Sequence, residues 1–532
     1  MASVPNMTAT ITSTVASARI VLPHPRPAPD EPDCNGTVSG LPGRTICRSF
    51  RCLRQTAPMT SRFFRLGLAT LIALFSTFWS TAAVSAQAPR PAASLSHVGR
   101  WFTDATGRVV MLRGVNFVEK FAPFTPEADG FGDDDASLIA NSGFNTVRLG
   151  VVFGFLMPEP GVLDHAYLDS IARTVRVLGD HGLYVLLDFH QDGWGPATHG
   201  NGMPPWATIT DGLPNPPVPF PAYYVANPAL QRAFDNFWAN RAGPDAVPLQ
   251  EHYAAAMQAV ATRFASSNNV LGYEAMNEPW PGTNWSSCLT GCADLEDALL
   301  APFYARVTAA VRAVDDRHPV FVEPFVLFNF GGAATTLPGA GSPNALSTHV
   351  YATSPAGDAA VMDHTVDAAT RDHAPFLITE WGATTDTATI ATTTDQFDAR
   401  LAPWLYWSYN GLIVSNSNQP LVAGNVNFTV LDSLTRPYPT VVNGTPRGLQ
   451  YDTPTHTLDF RYVADRPDGR RAPPGLATVI AVPQRDYPSG YSVAATGALV
   501  TSGPCSPQLT LRNDPGATSI GVRISPANNC AH

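Results

Sequence analysis

The amino-acid sequence predicts an α/β protein: a (β/α)8 TIM barrel followed by a small C-terminal antiparallel β-sandwich domain. Three observations predict it. Between residues 99 and 435, apolar strand-like runs alternate with stretches of helical period, the pattern of parallel strands covered on both faces by helices. Eight such runs fall in that span, the number a closed (β/α)8 barrel needs. From 436 to 532 the helical period is lost, and short alternating runs are separated by Gly, Pro, Asp and Asn, as in antiparallel sheets.

The eight runs are VVMLRGVNF (109–117), FNTVRLGVV (144–152), LYVLLDFH (183–190), VLGYEAMNE (270–278), PVFVEPF (319–325), ALSTHVY (345–351), FLITEWG (376–382) and WLYWSYN (404–410). Helical stretches lie between most of them. In 165–180, Leu168, Ile171, Val175 and Leu178 share one helix face; in 251–264, Tyr253, Met257, Val260 and Phe264 do the same. The third and fourth runs are separated by a long insertion, 191–247, dense in Trp, Phe, Tyr and Pro. Insertions of this length are often functional. In the last domain, HTLDFRYV, ATVIAVP, YSVAAT, QLTLRN and SIGVRI read as sandwich strands, and a cap on the barrel is favoured over a binding module.

Ahead of the barrel, residues 1–58 read as a disordered extension, rich in Pro, Thr, Ser and Arg, upstream of an alternative start at Met59. Residues 59–86 read as a secretory signal peptide: Arg62 and Arg65, an apolar stretch from Leu66 to Trp79, then Val84-Ser85-Ala86 before Gln87. An uncleaved anchor is the alternative, but the apolar run is short for a membrane span. Residues 87–98 are then a linker, and a secreted product is expected. Of seven cysteines, Cys34, Cys47 and Cys52 precede the signal. The other four form two local pairs, Cys288 with Cys292 and Cys505 with Cys530, expected as disulfides in an oxidising compartment. A zinc site is the rival, weakened by the distance between the pairs and the lack of a histidine pattern.

Hydrophobic content of 45% suits a soluble protein with a substantial core. The net charge of −10 argues against nucleic acid as a partner, and a monomer is expected. Among 33 basic residues, Lys120 is the one lysine. GC-rich codon usage explains the bias but not the exception.

The carboxyl ends of barrel strands carry the chemistry of this fold. Here they carry Lys120, Arg148, His190 with Asp192, Asn277-Glu278, His349-Val350-Tyr351, Glu380-Trp381 and Trp407. Singly, each has a structural reading: Arg148 a buried cation, His190 a core histidine, His349 a neighbour's support, Trp407 a plug. Together they converge on one face. Glu278 and Glu380 stand out, because burying two carboxylates is costly and glycoside hydrolysis needs two flanking one bond. Glu274 lies deeper on the same strand and is the weaker acid candidate. Neither His190 nor His199 has a convincing ligand set, so no metal and no cofactor is expected.

Asn277-Glu278-Pro279 on the fourth strand, with Glu380 on the seventh, resembles the signature of glycoside hydrolase family 5 of clan A. The resemblance spans about 100–430 and includes Arg148 in NTVRLG, His190, His349-Val350-Tyr351 and Trp407. It implies Glu278 as general acid/base and Glu380 as nucleophile of a double displacement. It further implies Asn277 on the sugar 2-hydroxyl, Tyr351 on the nucleophile, Arg148 and His349 as orienting groups, and Trp407 beneath the sugar. Within the family, RGVNFVEKFAPFTP (113–126), DFHQDGWG (188–195), NPALQRAFDNFWAN (227–240) and the C-terminal sandwich resemble the endoglycoceramidases. That likeness implies Lys120, Asp192 and His190 among the substrate-binding residues, and a glycosphingolipid cut between glycan and ceramide.

A two-faced substrate suits the residues themselves. Polar groups can hold a sugar, while Trp206, Phe234 and Trp238 of the insertion are candidates for an apolar aglycone groove. Docking on a membrane surface or micelle would be apolar, since the net charge gives no attraction to anionic lipid. The alternatives are a family 5 glycosidase acting on a polysaccharide or a simple β-glucoside or β-galactoside, and a secreted binding protein that has lost catalysis. The presence of both glutamates weighs against the latter.

Overall fold

The computed structural model describes residues 94–331 and 344–530. The expected extension and signal peptide lie outside the described residues. Eight parallel strands close a barrel: β4 (Arg113–Phe117), β5 (Thr146–Val151), β6 (Tyr184–Phe189), β7 (Val270–Glu274), β8 (Val320–Val322), β9 (Ala345–Val350), β10 (Phe376–Trp381) and β11 (Trp404–Tyr406). Every residue of β4, β5, β7, β9 and β10 is buried, as near-continuous apolar runs between barrel and helices require.

Helices pack outside. The helix His165–Asp180 starts where the Asp164 side chain accepts the Tyr167 N–H, and its predicted face, Leu168, Ile171, Val175 and Leu178, is buried. Ser354 caps Pro355–Arg371 by accepting the Gly357 N–H. In the insertion, Asn227 accepts from Leu230 and caps Pro228–Trp238, with Pro228 in the first turn where its missing N–H costs nothing. After β8, the short helix Val326–Phe330 takes the place of a longer one among the described residues.

The C-terminal part consists of two antiparallel sheets, with one departure from expectation. The four-stranded sheet is built from Thr445–Asp452, Thr457–Val463, Ser519–Pro526 and Tyr491–Thr496. The seven-stranded sheet combines Tyr438–Val442, Ala477–Ala481, Gln508–Asn513 and Ala498–Val500 with three strands from before the barrel: β1 (Ser96–Val98), β2 (Trp101–Thr103) and β3 (Val109–Val110). Residues 87–93 of the expected linker lie outside the described residues, while its last three residues and the first stretch assigned to the barrel form strands of this sheet. The run 109–117 is two strands: Val109–Val110 pairs antiparallel with Val441–Val442, and Arg113–Phe117 opens the barrel. The run passes from one core into another. Hydrophobicity reports burial, not which core does the burying.

Both expected cysteine pairs are disulfides, Cys288–Cys292 and Cys505–Cys530.

Candidate active site

The mouth of the barrel is organised by one arginine. Arg148, in the middle of β5, is fully buried. Its Nε donates to Glu274. Nη1 donates to Asn116 Oδ1 at 3.1 Å and to Glu380 Oε1 at 2.5 Å. Nη2 donates to Asn277 Oδ1 at 2.7 Å and lies 3.1 Å from Asp188 and 3.8 Å from Glu323. A planar fork of five donors suits this many acceptors. Burial opposes its charge, but Asp188, Glu274, Glu380 and Glu323 outweigh it and raise the guanidinium well above its ordinary value.

Glu380 and Glu278 face one another. Glu380, on β10, has Arg148 on one oxygen, and Tyr351 donates its hydroxyl to the other at 2.9 Å. Glu278 lies four residues past the end of β7 rather than on the strand. Its backbone sits at φ 44°, a left-handed value costly for a non-glycine residue. Gln191 holds that bend: its amide N–H groups donate to the Asn277 carbonyl at 2.8 Å and the Glu278 carbonyl at 3.0 Å. The Glu278 carboxylate accepts from Asn329 at 3.2 Å and meets His349 Nδ1 at 2.9 Å. Carboxylate oxygens of Glu278 and Glu380 and the His349 ring all lie within 4.8 Å of one another. Glu274 is fully buried, ion-paired to Arg148 and bonded by the Ser347 hydroxyl, so it has no access to a substrate.

A second cluster flanks this pair. Lys120 donates to Asp192 at 2.5 Å, and its Nζ lies 4.6 Å over the Trp407 ring. Trp407, just past β11, stacks on His190 at 5.6 Å and 14°. His190 is held from both sides: its Nδ1 meets Asp188 at 2.7 Å and its Nε2 meets Asp192 at 3.1 Å. Burial works against the charged ring, yet Asp188 and Asp192 outweigh it and hold His190 up to about 9. Burial likewise opposes the Asp192 carboxylate, but Lys120 and His190 outweigh it and hold it well below the usual range. Asn277, buried, accepts from Arg148 and donates one amide hydrogen to the Gln191 carbonyl at 2.9 Å, leaving one hydrogen to offer.

The insertion aromatics need correction too. Phe234 is fully buried against Trp194. Trp238 is buried among Phe237, Phe303 and Phe325, and its indole donates to the Trp280 carbonyl at 2.8 Å. Trp206 is half-buried, packed on Phe153 and His252, and donates to the Met157 carbonyl. These side chains pack the insertion onto the main core of the barrel rather than line a groove, as large rings are covered wherever a neighbouring surface can bury them. Exposed rings lie in the segments that follow the carboxyl ends of strands, at Phe121, at Phe220 of the insertion and at Phe330, the end of the short helix after β8.

Sequence reasoning missed Asp188, Glu323, Gln191 and Asn329. The signal for Asp188 and Glu323 is a carboxylate in an apolar strand run, the same signal that marks Glu274, Glu278 and Glu380. Two sets could hold a metal by geometry, Glu274/Glu323/His349 and Glu278/His349/Glu380. In both, oxygens already face the Arg148 guanidinium or the His349 ring.

Comparison with known proteins agrees with this geometry. Residues 103–412 match the model for Cellulase (glycosyl hydrolase family 5), and 436–524 match the glycoside hydrolase family 5 C-terminal domain. The chain is 33% identical to endoglycoceramidase I of Rhodococcus hoagii (strain 103S) over 465 residues, 82% of this chain and 89% of that one. It is similar in structure to endo-glycoceramidase II from Rhodococcus sp., at 31% identity and a TM-score of 0.64, over 81% of this chain and all of the other. That protein has also been solved as a lactosyl-enzyme intermediate, at 29% identity and a TM-score of 0.63, over 81% of this chain and 100% of that one. With a family model matching 103–412, more than half of its length, and a C-terminal model matching 436–524, this chain belongs to glycoside hydrolase family 5.

Proposed function

We propose that this glycoside hydrolase is a retaining endo-β-glycosidase, acting outside the cell, that hydrolyses the bond between glycan and ceramide in glycosphingolipids. The observation that carries the reading is the approach of one carboxylate oxygen of Glu278 and one of Glu380 to within 4.8 Å of each other. Inverting enzymes keep their carboxyl groups about 6.5–9.5 Å apart to admit a water, whereas retaining ones sit at about 5–5.5 Å. Glu380, paired with Arg148 and oriented by Tyr351, attacks the anomeric carbon. Glu278 protonates the leaving oxygen, then deprotonates the water that releases the sugar. Asn277 offers its remaining amide hydrogen to the sugar 2-hydroxyl. Lys120 and Asp192 bind hydroxyls at the glycan side, over the Trp407 platform.

The lipid half of the reading is supported by the named activity of the relatives, and by exposed rings at the strand-end side of the barrel. Phe121, Phe220 and Phe330 are 66%, 45% and 54% exposed. They replace the half-buried Trp206 and the buried Phe234 and Trp238 as the apolar contact with an aglycone or a micelle. Export is proposed on the leader-like residues 59–86.

The test is product analysis on glucosyl-, lactosyl- and galactosylceramide in detergent micelles. Release of intact glycan and ceramide is expected, with the first-formed sugar in the β configuration by NMR. Cleavage confined to soluble oligosaccharides would overturn the lipid reading. A first-formed α anomer would overturn the retaining course.

A further inference from the structure

Behind the paired glutamates lies a third carboxyl group that the double displacement does not use. Glu323 follows β8 directly and is 1% exposed. Its backbone is held by the Tyr304 hydroxyl, which donates to the Glu323 carbonyl at 2.6 Å. Its Oε2 accepts the Glu278 backbone N–H at 3.2 Å. Its Oε1 has no hydrogen-bond partner, and neither has His349 Nε2. These two orphaned buried atoms face each other at 3.4 Å. The other ring nitrogen, Nδ1, is 2.9 Å from the Glu278 carboxylate. Glu323, His349 and Glu278 thus form a chain, carboxyl to imidazole to carboxyl.

An unpartnered buried polar atom is costly. A single proton between Oε1 and Nε2 satisfies both. Which atom carries it depends on charge nearby. The groups facing Glu323 are Arg148 at 3.8 Å, His349, Glu274 and the Tyr253 and Tyr304 hydroxyls. Arg148 already serves Glu274, Glu380 and Asp188, so no cation is left to pair an ionised Glu323 other than the ring itself.

We propose that Glu323 is a positioning residue for Glu278: through the His349 ring it holds the proton that supports the acid/base in each of its two charge states. The inference rests on reading Glu278 as the acid/base. With Glu278 protonated, the shared proton sits on Glu323, and His349 is a neutral ring donating its Nδ1–H to Glu278. When Glu278 gives its proton to the leaving oxygen, the O–H bond of Glu323 breaks and an N–H bond forms at Nε2. Glu323 becomes a carboxylate, and His349 an imidazolium donating to both carboxylates. When water re-protonates Glu278, the proton returns to Glu323. No proton is gained or lost in this shift, and no group enters or leaves. Burial pushes the Glu323 carboxyl up to about 8, and against burial Glu323, Glu380 and Glu278 raise the His349 ring well above its ordinary value, so the two groups compete for the proton between them.

The test compares leaving groups. kcat/KM reports the glycosylation step, and 2,4-dinitrophenolate leaves without protonation while an alkyl oxygen does not. The substrates are lactosylceramide in micelles and 2,4-dinitrophenyl β-lactoside, with the wild-type enzyme, Glu278→Gln, Glu323→Gln and Glu323→Asp. For Glu323→Gln, kcat/KM is expected to fall about 10- to 100-fold more on the ceramide than on the aryl lactoside, part of the 10²–10⁴ that acid catalysis supplies. Glu323→Asp, which keeps the acid on a shorter stem, is expected to show a smaller ratio. It carries the same comparison should the glutamine variant not fold, which thermal melting detects. Equal losses on both substrates in the Glu323 variants, beside a large ratio for Glu278→Gln, would overturn the proton-holding role. No leaving-group dependence in Glu278→Gln, or a wild-type enzyme inactive on both lactosides, would overturn the acid/base reading or the substrate reading beneath it.

Discussion

Two buried arginines on neighbouring strands, Arg113 and Arg148, show how differently the two ends of this barrel use charge. Arg113 begins β4 at the amino end, and Arg148 lies in β5 toward the mouth. At the base, Arg113 and Arg436 share Asp398, and Arg436 also reaches Asp395 at 2.9 Å. Tyr438 lies 4.4 Å from the Arg113 guanidinium and Tyr451 5.1 Å from that of Arg436. These rings belong to the antiparallel sheets, so the cluster fastens barrel to sandwich. Its charges balance within the cluster. At the mouth, Arg148 alone faces Asp188, Glu274, Glu323 and Glu380, and Glu278 lies beyond them. There the negative groups outnumber the fixed cation, so protons must make up the difference. A balanced buried cluster is structure. An unbalanced one must exchange protons, and proton exchange is what general acid catalysis uses.

The largest effects should fall at the mouth and on activity alone. Glu380→Gln is expected to lower hydrolysis at least roughly a thousandfold, since the proposed double displacement loses its nucleophile. Glu278→Gln should lose about 10²–10⁴-fold on an alkyl aglycone. Both should melt within about 1 kcal/mol of wild type, because a neutral amide relieves crowded negative charge at little cost in packing. Initial rates and thermal melts on the same samples check this. Loss of the fold in either variant would erase the distinction between the two ends.

Next in size is Arg148→Met, which strands the mouth carboxylates without their cation. Breaking a buried pair in this way costs about 3–5 kcal/mol. The deficit should shrink as the pH falls. Unpaired buried carboxylates bind protons more readily folded than unfolded, so the variant gains relative stability toward acid. Melting curves at several pH values between 5 and 8 measure it. A deficit that is constant across that range would mean packing, not charge, is what Arg148 supplies.

His190 gives a smaller effect with the opposite pH sense. Its ring keeps its proton up to about 9, held by Asp188 and Asp192 against the cost of burial, compared with an ordinary value near 6.5. Its contribution to stability is complete below that ordinary value and is lost as the pH rises through 9. The amount is on the order of 3 kcal/mol. The difference in unfolding free energy between wild type and His190→Gln should therefore decline from near pH 6.5 to above 9. A flat difference would show the ring to be neutral in the folded protein.

Much of the mouth was legible because carboxylates, amides and a histidine at the ends of apolar runs have few structural reasons to be there. The eight runs, Glu278, Glu380 and the inert depth of Glu274 followed from local pattern. What local pattern does not encode is the pairing partner. Val109 and Val110 look like the start of a barrel strand until Val441 and Val442 claim them from the far end of the chain. Phe234 and Trp238 look like a lipid-facing surface until the neighbouring helices bury them. Glu323 was hidden because PVFVEPF reads as one apolar strand, and what marks it out is that it faces His349 of the neighbouring strand.

The smallest expected effect decides whether the base is structure alone. Asp398→Leu by itself leaves Arg113 buried without its carboxylate, and should cost about 3–5 kcal/mol. The combination Arg113→Met, Asp398→Leu and Arg436→Met removes every buried charge of the cluster at once, leaving only Asp395, whose side chain is 54% exposed. Replacement of a whole buried ionic cluster by packed apolar side chains is often neutral or stabilising by about 1–4 kcal/mol. The triple variant should therefore melt at or above wild type, far from the sum of its single substitutions, since residues of one network do not add. Its kcat should be unchanged, because no member of the cluster belongs to the mouth. A double-mutant cycle on Arg113 and Asp398, with kcat measured on each corner, tests both halves. If kcat fell with the base charges while the melting temperature held, the two ends of the barrel would be coupled, and the base could no longer be read as a passive anchor for the sandwich.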